Sequence, residues 1–255
     1  MRRNQPSQVL VLLLCSLTSL TAAFVIPSTT RSTASPSTVS KPSLLLFATV
    51  SDDIDVDTEI NAAKSILVTA AETKAEDSDT VIEALLSLEK LMRKKAKAEG
   101  ESVAEDMKTQ LNGDWRLIFT TGTADTQQKY GKINYFPLKA VQTFRTVEED
   151  PMKITNGIFA GDFPLVKFFG EMDFDLKKRK LEFDFNQLLV LNLIEINLGK
   201  GDAAKIGASS GLGSESNVEN VKKGRQAFFN WISADAQIAT ARGGGGGLAL
   251  WKRVD

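Results

Sequence analysis

The reactive side chains of this 255-residue chain are restricted to a few types. The sequence contains no histidine, and its only cysteine, Cys15, lies near the amino terminus. Without these residues, the rest of the chain has no imidazole base, no thiol nucleophile, no disulfide and no zinc–thiolate site. Any chemistry must use carboxylates, Lys, Arg, Tyr or Ser, and we expect no catalytic residue, no metal and no cofactor.

A carboxylate beside a tyrosine is the catalytic arrangement that these residue types leave open. In an enzyme of the isomerase or cyclase type, the acid–base pair would be Asp235 or Glu195 together with Tyr130 or Tyr135. Such a site is marked by a buried carboxylate whose pKa is raised next to a tyrosine hydroxyl group. An apolar pocket without such a pair would indicate a binding protein instead.

The charge of the chain argues against nucleic-acid binding. Four of the 31 basic residues and none of the 32 acidic residues lie at or before Phe47, which leaves 27 basic against 32 acidic residues, a net charge of about −5. Nucleic-acid binding needs clustered Lys and Arg side chains that neutralise phosphates. We therefore expect no nucleic-acid partner.

The amino terminus has the composition of targeting sequences. Arg2 and Arg3 precede an apolar run over 9–14, and small residues end at Ala23, which is typical of a signal peptide over residues 1–23. Residues 24–48 are rich in Ser, Thr and Pro and contain no acidic residue, as transit peptides do. The two parts resemble the bipartite presequence of plastids bounded by extra membranes. A secreted protein with a disordered linker is the alternative.

Residues 49–110 form a predicted helical segment ahead of the main domain. Apolar residues recur at helical spacing over 57–75 and again over 79–98, which predicts two packed helices. Asp79 is the expected N-cap of the second helix, because an aspartate side chain can accept the unpaired N–H groups of a first turn.

The period of apolar residues changes from helical to two at Trp115, which indicates β-strands. A long antiparallel hairpin is expected to turn at Lys178 and Arg179, residues 200–224 are expected to form a mobile loop, and 243–247 a turn. The predicted strands are 115–121, 141–147, 153–159, 166–177, 181–186, 188–198, 228–233, 237–242 and 248–254.

Consecutive antiparallel strands with one apolar face predict closure of residues 111–255 into a barrel. Closure removes the unpaired edges that an open sheet would expose. A two-layer sandwich is the alternative. The predicted fold class is mainly β with N-terminal α-helices.

Three segments resemble the plastid-lipid-associated proteins, the fibrillin family of plastoglobules and thylakoids. Residues 82–89, IEALLSLE, resemble the family's pre-barrel helix, and residues 111–121, LNGDWRLIFTT, resemble its opening strand. Residues 235–250 resemble its terminal pattern of Asp, Arg-Gly and an apolar strand, except that Ala239 stands where the family usually has Arg. The resemblance implies a lipocalin-like antiparallel β-barrel.

The resemblance also implies a function. It points to a non-catalytic plastid protein that binds or coats a lipophilic molecule, such as an isoprenoid, quinone, carotenoid or acyl lipid. Its partners would be that molecule and the surface of plastoglobules or thylakoids. A lipid-modifying barrel enzyme and a ligand-free thylakoid scaffold are the alternatives.

The candidate site residues fall into a polar mouth and an apolar lining. We expect Trp115 to close the barrel beneath Arg242, with Arg253 as the alternative cation and Asp235 at the same mouth. The lining residues would serve equally well as packed core, because small barrels are either filled or hollow. They are Phe119, Phe144, Phe159, Phe168, Met172, Phe174, Phe183 and Phe185.

Overall fold

The computed structural model describes residues 55–122, 127, 134–147, 149–209 and 215–254. The expected signal and transit peptides, Cys15 and Tyr130 lie outside the described residues. Within the described part, three helices precede the sheet: α1 (Val56–Thr73), α2 (Ser78–Glu99) and α3 (Ser102–Leu111).

The two long helices form where the helical spacing of apolar residues predicts them. The expected N-cap of α2 is wrong by two residues, because Asp77 and not Asp79 caps the helix. The Asp77 carboxylate accepts the backbone N–H groups of Asp79 at 3.0 Å and of Thr80 at 3.3 Å. These are the second and third helical residues, whose N–H groups have no partner inside a helix. Asp79 lies in the first turn, where its charge favours the helix dipole.

The third helix was not expected from the sequence. Its ten residues bury Val103, Ala104, Met107 and Leu111, which is too short a pattern to separate from a loop by periodicity. Gly100, at a φ of 74°, ends α2 and lets the chain turn into α3.

In the described ranges, nine strands form a single antiparallel sheet. The expected strands match the observed ones except at 188–198. Their bounds are β1 (Gly113–Thr120), β2 (Lys139–Arg145), β3 (Lys153–Ala160), β4 (Phe163–Asp175), β5 (Lys180–Val190), β6 (Ile194–Asn197), β7 (Ala227–Ala234), β8 (Ile238–Gly243) and β9 (Leu248–Val254).

Eight of these strands close into a barrel, as predicted. The sheet runs in the order β4-β3-β2-β1-β9-β8-β7-β5-β6, and β4 also pairs with β5. The β4–β5 pairing completes the ring, so β6 is an extra strand beside β5. The barrel preceded by helices confirms the predicted fold class and excludes the two-layer sandwich.

The β4–β5 hairpin shows the alternation that the sequence predicts. Val166, Gly170, Met172 and Phe174 are buried, whereas the residues between them in β4 are partly or fully exposed. Phe174 lies opposite Leu181 and the pairing continues to the β4 amino end, with one irregularity between Phe169 and Gly170. At that irregularity β5 has one more residue than β4, which is a β-bulge.

The predicted strand 188–198 is wrong, because the chain reverses within it. Leu191 and Asn192 adopt positive φ angles of 51° and 57°, and β6 folds back on β5 with Ile194 opposite Val190. A turn at a non-glycine residue is hard to recognise from sequence. The segment expected to be a loop, where the structure describes it, contains two short helices, α4 (Asp202–Ser209) and α5 (Glu215–Lys222). Its mobility stays a prediction.

The amino-terminal helices cover the outer face of the barrel. α2 and α3 contact β7, and α1 contacts β8 and β9. The last four residues of β7, the first four of β8 and the first four of β9 are consequently buried on both faces. The main core therefore has two layers, one inside the barrel and one between the barrel and the helices.

Candidate functional site

Strand register identifies the side chains that point into the barrel. Residues that are Cα partners across a sheet share a face. Gly113, Phe144, Ile154, Gly170 and Phe185 are partners in that order across five strands. The Phe144 ring on β2 also contacts the Trp231 ring on β7, with centroids 5.4 Å apart. Because β2 and β7 are on opposite sides of the ring, this face is the interior.

A continuous series of aromatic rings occupies part of the interior. Neighbouring rings pack in tilted, stacked and edge arrangements, which are favourable geometries for aromatic pairs. Ala239 and Ala241 of β8 lie between the two strands that carry the tryptophans, and their small side chains leave room for the rings. Centroid separations are 5.2–5.6 Å along the series Phe168, Phe185, Phe183, Phe229, Trp251 and Trp231.

Burial varies along the barrel axis. At the end that holds the start of β1, Trp115 and Phe144 have no exposed surface. Towards the other end, Leu188 and Val190 are buried but lie outside the main core cluster. The interior-facing residues between these two groups are only partly buried: Leu117, Asn156, Phe168, Phe185 and Phe229.

Three polar atoms of the interior are buried and have no hydrogen-bond partner among the described residues. They are Nε1 of Trp231, Nε1 of Trp251 and Oε1 of Gln142, a residue that lies opposite Trp115 in the ladder. Each unpaired group costs about 1–3 kcal/mol, and native proteins leave few of them. The indole of Trp115 differs, because its N–H donates to the Leu111 carbonyl at 2.8 Å. As far as the described residues show, the interior therefore presents two hydrogen-bond donors and one acceptor that have no partner.

Six of the eight predicted lining residues point into the barrel, and two do not. Phe119 is wrong because β1 has an irregularity between Leu117 and Phe119, after which Phe119 lies opposite Leu250 and faces the helix side. Its ring contacts Tyr135 at 5.3 Å. The other six stay predicted ligand contacts: Phe144, Phe168, Met172, Phe174, Phe183 and Phe185.

Phe159 also faces outward and is the second incorrect lining residue. It lies opposite Lys139, on the face away from the interior residue Ile158. The ammonium groups of Lys139 and Lys167 lie 5.7 and 5.8 Å from the centre of its ring. The ring is therefore flanked by two surface cations, which is a favourable electrostatic arrangement on an outer wall.

The cation above Trp115 is Arg253, so the expected Arg242 is wrong and the alternative is correct. The guanidinium carbon of Arg253 lies 4.2 Å from the ring centre. The two residues are Cα partners on β1 and β9, which brings their side chains to the same face. Arg242 lies near the opposite end of β8 and pairs in register with Leu248, so it cannot reach the ring.

Arg242 instead joins the barrel to α2 through Glu89. Its Nε and Nη2 atoms donate to the two carboxylate oxygens of Glu89 at 3.0 and 2.5 Å. Arg93 adds a second ion pair to Glu89 at 2.8 Å. The hydrogen bonds from Arg242 lower the pKa of Glu89 below its ordinary value, against the opposing effect of burial.

Asp235 and Tyr135 do not form an acid–base pair. Burial alone would raise the pKa of Asp235, but the N–H groups of Ile238 and Gln237 and the ammonium of Lys64 hold it below its usual value. The Tyr135 hydroxyl donates to the Glu76 carbonyl at 2.8 Å, and burial raises its pKa. Glu195, on the exposed strand β6, accepts a hydrogen bond from Gln187 at 2.6 Å.

Two cavities lie outside the barrel interior, and neither is lined by a predicted lining residue. The first, of about 530 Å³, lies among α1, α2, α3 and the end of β7 and has Lys64, Lys95 and Asp106 in its walls. The second, of about 200 Å³, lies beside α2 and the β4–β5 turn. Its lining residues are Glu89, Arg93, Lys178, Arg179, Asn230, Trp231, Ile232 and Arg242.

None of the helices seen in the described part of the chain combines the length and apolar character of a transmembrane segment. In the same residues, no group of three or more Cys, Asp and Glu side chains is arranged to hold a metal ion.

Sequence reasoning missed Trp231, Trp251 and Gln142 as site residues. The two tryptophans lie in strand segments that are buried on both faces. The sequence of these segments does not alternate between apolar and polar residues, so it does not show which side chains face the interior. Gln142 is a polar residue between apolar neighbours that point the same way, Ala140 and Phe144. A buried polar residue in an apolar series is the signal that could have identified it.

A protein-family model, PAP_fibrillin, matches residues 61–250. The match includes α2, α3 and all of β1 to β8, with Gln142 and Trp231, and it ends in β9 at Leu250, one residue before Trp251. Searches of curated proteins and of solved structures give no significant match.

Proposed function

Because this chain belongs to the PAP_fibrillin family, we propose that its barrel binds a lipophilic molecule that carries a hydrogen-bond acceptor such as a carbonyl oxygen. The observation that carries the proposal is the pair of buried indole N–H groups on Trp231 and Trp251. Their rings lie 5.3 Å apart, and neither N–H group has a partner among the described residues. An acceptor bound between them would recover free energy that the ligand-free barrel forgoes.

The apolar part of the ligand would contact the partly buried interior residues. Phe168, Phe185 and Phe229 face inward and still have accessible surface; Phe229 contacts the Trp251 ring, and Phe168 contacts Phe185. Burial of a methylene group contributes about 0.8 kcal/mol, so ten of them contribute roughly 8 kcal/mol before the costs of association. Those costs leave a micromolar or weaker affinity from apolar contact alone.

The free donors narrow the ligand class. A quinone, a keto or hydroxy carotenoid and an ester-linked acyl lipid each offer an oxygen acceptor next to an apolar body. A pure hydrocarbon would leave both indole groups unpaired, at a cost of about 1–3 kcal/mol each. We therefore place oxygenated isoprenoids and acyl lipids ahead of hydrocarbons.

We further propose that the protein is not an enzyme. The pKa of Asp235 is lowered and not raised, so the group is a poor proton acceptor for acid–base chemistry. Tyr135 is engaged by a main-chain carbonyl on the helix side of the barrel, away from the interior. Both observations support a binding role over an isomerase or cyclase role.

The proposed place of action is the plastid, at the surface of plastoglobules or thylakoids. Family membership and the presequence-like composition of residues 1–48 support this location. A fluorescent protein fused behind residues 1–48 should enter plastids of an alga with extra plastid membranes. A fusion behind residues 24–48 alone should stay outside, because it lacks the expected signal peptide.

Mass spectrometry of copurifying lipids tests the binding proposal. The protein purified from plastids should retain an oxygenated lipid, and a variant with both Trp231→Phe and Trp251→Phe should retain much less. Trp115→Phe is the matched control, because the N–H group that it removes already has a protein partner. Recovery of no lipid with the wild type would favour a ligand-free scaffold.

A further inference from the structure

The cavity beside the β4–β5 turn has an excess of positive charge. Four cationic side chains, Arg93, Lys178, Arg179 and Arg242, line it, and Glu89 is the single carboxylate among its lining residues. The sequence predicts a hairpin turn at Lys178 and Arg179. In the structure the tip is folded against α2, so it is not a simple solvated turn.

Most of these charges already have partners. Glu89 binds Arg242 through both oxygens and Arg93 through one of them. Lys178 pairs with Asp175, which lies just outside the cavity lining, at 2.9 Å. These contacts account for every cation of the cavity except Arg179.

Arg179 is the unmatched charge. Its guanidinium makes one long hydrogen bond, of 3.4 Å, to the Met92 carbonyl on α2, and no carboxylate of the described residues lies within ion-pair distance of it. A guanidinium group has five N–H donors, so most of its donors are unused. Burial and the neighbouring charge of Arg93 lower the pKa of Arg179 below its ordinary value, and the more weakly acting charge of Glu89 only partly opposes them. Half-buried charges without a counterion are costly.

The backbone holds Arg179 in this position. Its φ of 51° lies in the left-handed region, which costs free energy for a residue with a side chain. Its carbonyl accepts the backbone N–H of Trp231 at 2.9 Å, which fixes the turn to β7. The backbone therefore fixes the point from which the side chain extends, and the guanidinium reaches the Met92 carbonyl of α2 from there.

We propose that this cavity binds a phosphate or diphosphate group, with Arg179 as the principal ligand and Arg93 and Lys178 beside it. The planar guanidinium fork matches the oxygen geometry of phosphate. The cavity volume of about 200 Å³ accommodates a group of that size. The phosphate belongs either to a lipid headgroup or to a free phosphorylated compound, and both present the same chemistry. The cavity lies outside the barrel interior, although Trp231 lines both, and the proposal does not depend on the function proposed above.

Calorimetric titration with inorganic phosphate and pyrophosphate at low ionic strength tests the proposal for free anions. Saturable binding is expected, and Arg179→Gln should weaken it about tenfold or more, since charge-assisted hydrogen bonds are lost. Arg145→Gln is the matched control. It removes one positive charge at the end of β2, where Arg145 pairs with Asp114, and should change the affinity less than about twofold.

Flotation with phosphatidylcholine vesicles, with and without phosphatidic acid, tests the lipid source. Binding that requires phosphatidic acid and is lost in Arg179→Gln supports a headgroup site, even where the free anions do not bind. Saturable binding of free anions without vesicle binding supports a soluble phosphorylated ligand. Binding of neither, or equal losses in Arg179→Gln and Arg145→Gln, overturns the proposal.

Two further variants keep the test decisive if Arg179→Gln does not fold. Arg179→Lys retains the charge but loses the fork, so we expect an intermediate loss of affinity. Glu89→Gln removes the competing carboxylate and should strengthen anion binding. Wild-type affinity in Arg179→Lys together with weaker binding in Glu89→Gln would contradict the proposed geometry.

Discussion

The guanidinium of Arg253 lies over the ring of Trp115, with its carbon atom 4.2 Å from the ring centre. The same group donates to the carbonyls of Asn112, at 3.0 Å, and Gln110, at the end of α3. It also donates to two carbonyls between β7 and β8, including that of Ala236 at 3.1 Å. One side chain near the carboxyl terminus thereby joins the first strand, the last helix of the amino-terminal segment and the β7–β8 turn.

Loss of this side chain should destabilise the protein. Arg253→Met leaves several carbonyls without their donor and removes the cation above Trp115, so we expect the free energy of unfolding to fall by about 2–3 kcal/mol. Arg253→Lys should recover less than half of that loss, because an ammonium group cannot form the fork. Urea unfolding followed by circular dichroism measures both. If Arg253→Lys were as stable as the wild type, the planar guanidinium group of Arg253 would contribute nothing to the free energy of unfolding.

The Glu89–Arg242 contact should make stability depend on pH. The pKa of Glu89 is lowered in the folded state, so its contribution is present above the unfolded pKa near 4.5 and is lost as the pH falls through the lower folded pKa. We expect the free energy of unfolding to decrease below about pH 4.5, and Glu89→Gln to flatten this decrease. Glu105→Gln, at an exposed position of α3, is the control and should leave the profile unchanged. If the free energy of unfolding depended on pH in the same way in the wild type and in Glu89→Gln, the Glu89–Arg242 contact could not be the cause of the decrease at low pH.

Gly170 is expected to tolerate no side chain. A Cβ atom there would overlap the carbonyl oxygen of Asp184 on the neighbouring strand, at the bulge of the β4–β5 hairpin. Gly170→Ala should therefore cost about 3 kcal/mol or more, or prevent folding. Gly243→Ala is the comparison, because the added Cβ meets only ordinary contacts at 3.8 Å and beyond. Thermal unfolding of the two variants checks this, and equal melting temperatures would count against the register described.

The three tryptophans should respond differently to replacement by phenylalanine in the ligand-free protein. Each change removes similar volume, but only Trp115→Phe breaks a hydrogen bond, the one to Leu111. We expect Trp115→Phe to be less stable than Trp231→Phe or Trp251→Phe by about 1 kcal/mol. Denaturant unfolding of delipidated protein measures this difference. Greater losses for Trp231→Phe and Trp251→Phe would mean that their N–H groups already have partners.

The barrel can be predicted from the sequence because the outward-facing residues of β4 and β5 are exposed. In these strands apolar and charged residues alternate, so the pattern predicts that Met172 and Phe174 face the interior. Bulges limit this reasoning, since the irregularity before Phe119 reverses the face of every later residue in the strand. The chain reversal at Leu191 and Asn192 contains no glycine, so the sequence does not indicate it either.

The candidate site was harder to predict than the fold. Trp231 and Trp251 lie in strands covered by helices on their outer side, so burial on both faces erases the alternation that marks an interior residue. The distinction between Arg242 and Arg253 depends on which end of its strand each occupies. That requires the ladder register, because both residues lie within the last strands and both are cations.

The central claim is that Trp231 and Trp251 recognise an acceptor group of a lipophilic ligand within the barrel. The most direct measurement is the affinity for a decyl-substituted benzoquinone and for a decylbenzene that lacks the carbonyls, by equilibrium binding to delipidated protein. We predict tighter binding of the quinone by wild type and by Trp115→Phe, and a preference reduced about tenfold or more in the Trp231→Phe, Trp251→Phe double variant. Equal affinities of the wild type for the two probes, or an unchanged preference in the double variant, would contradict the account.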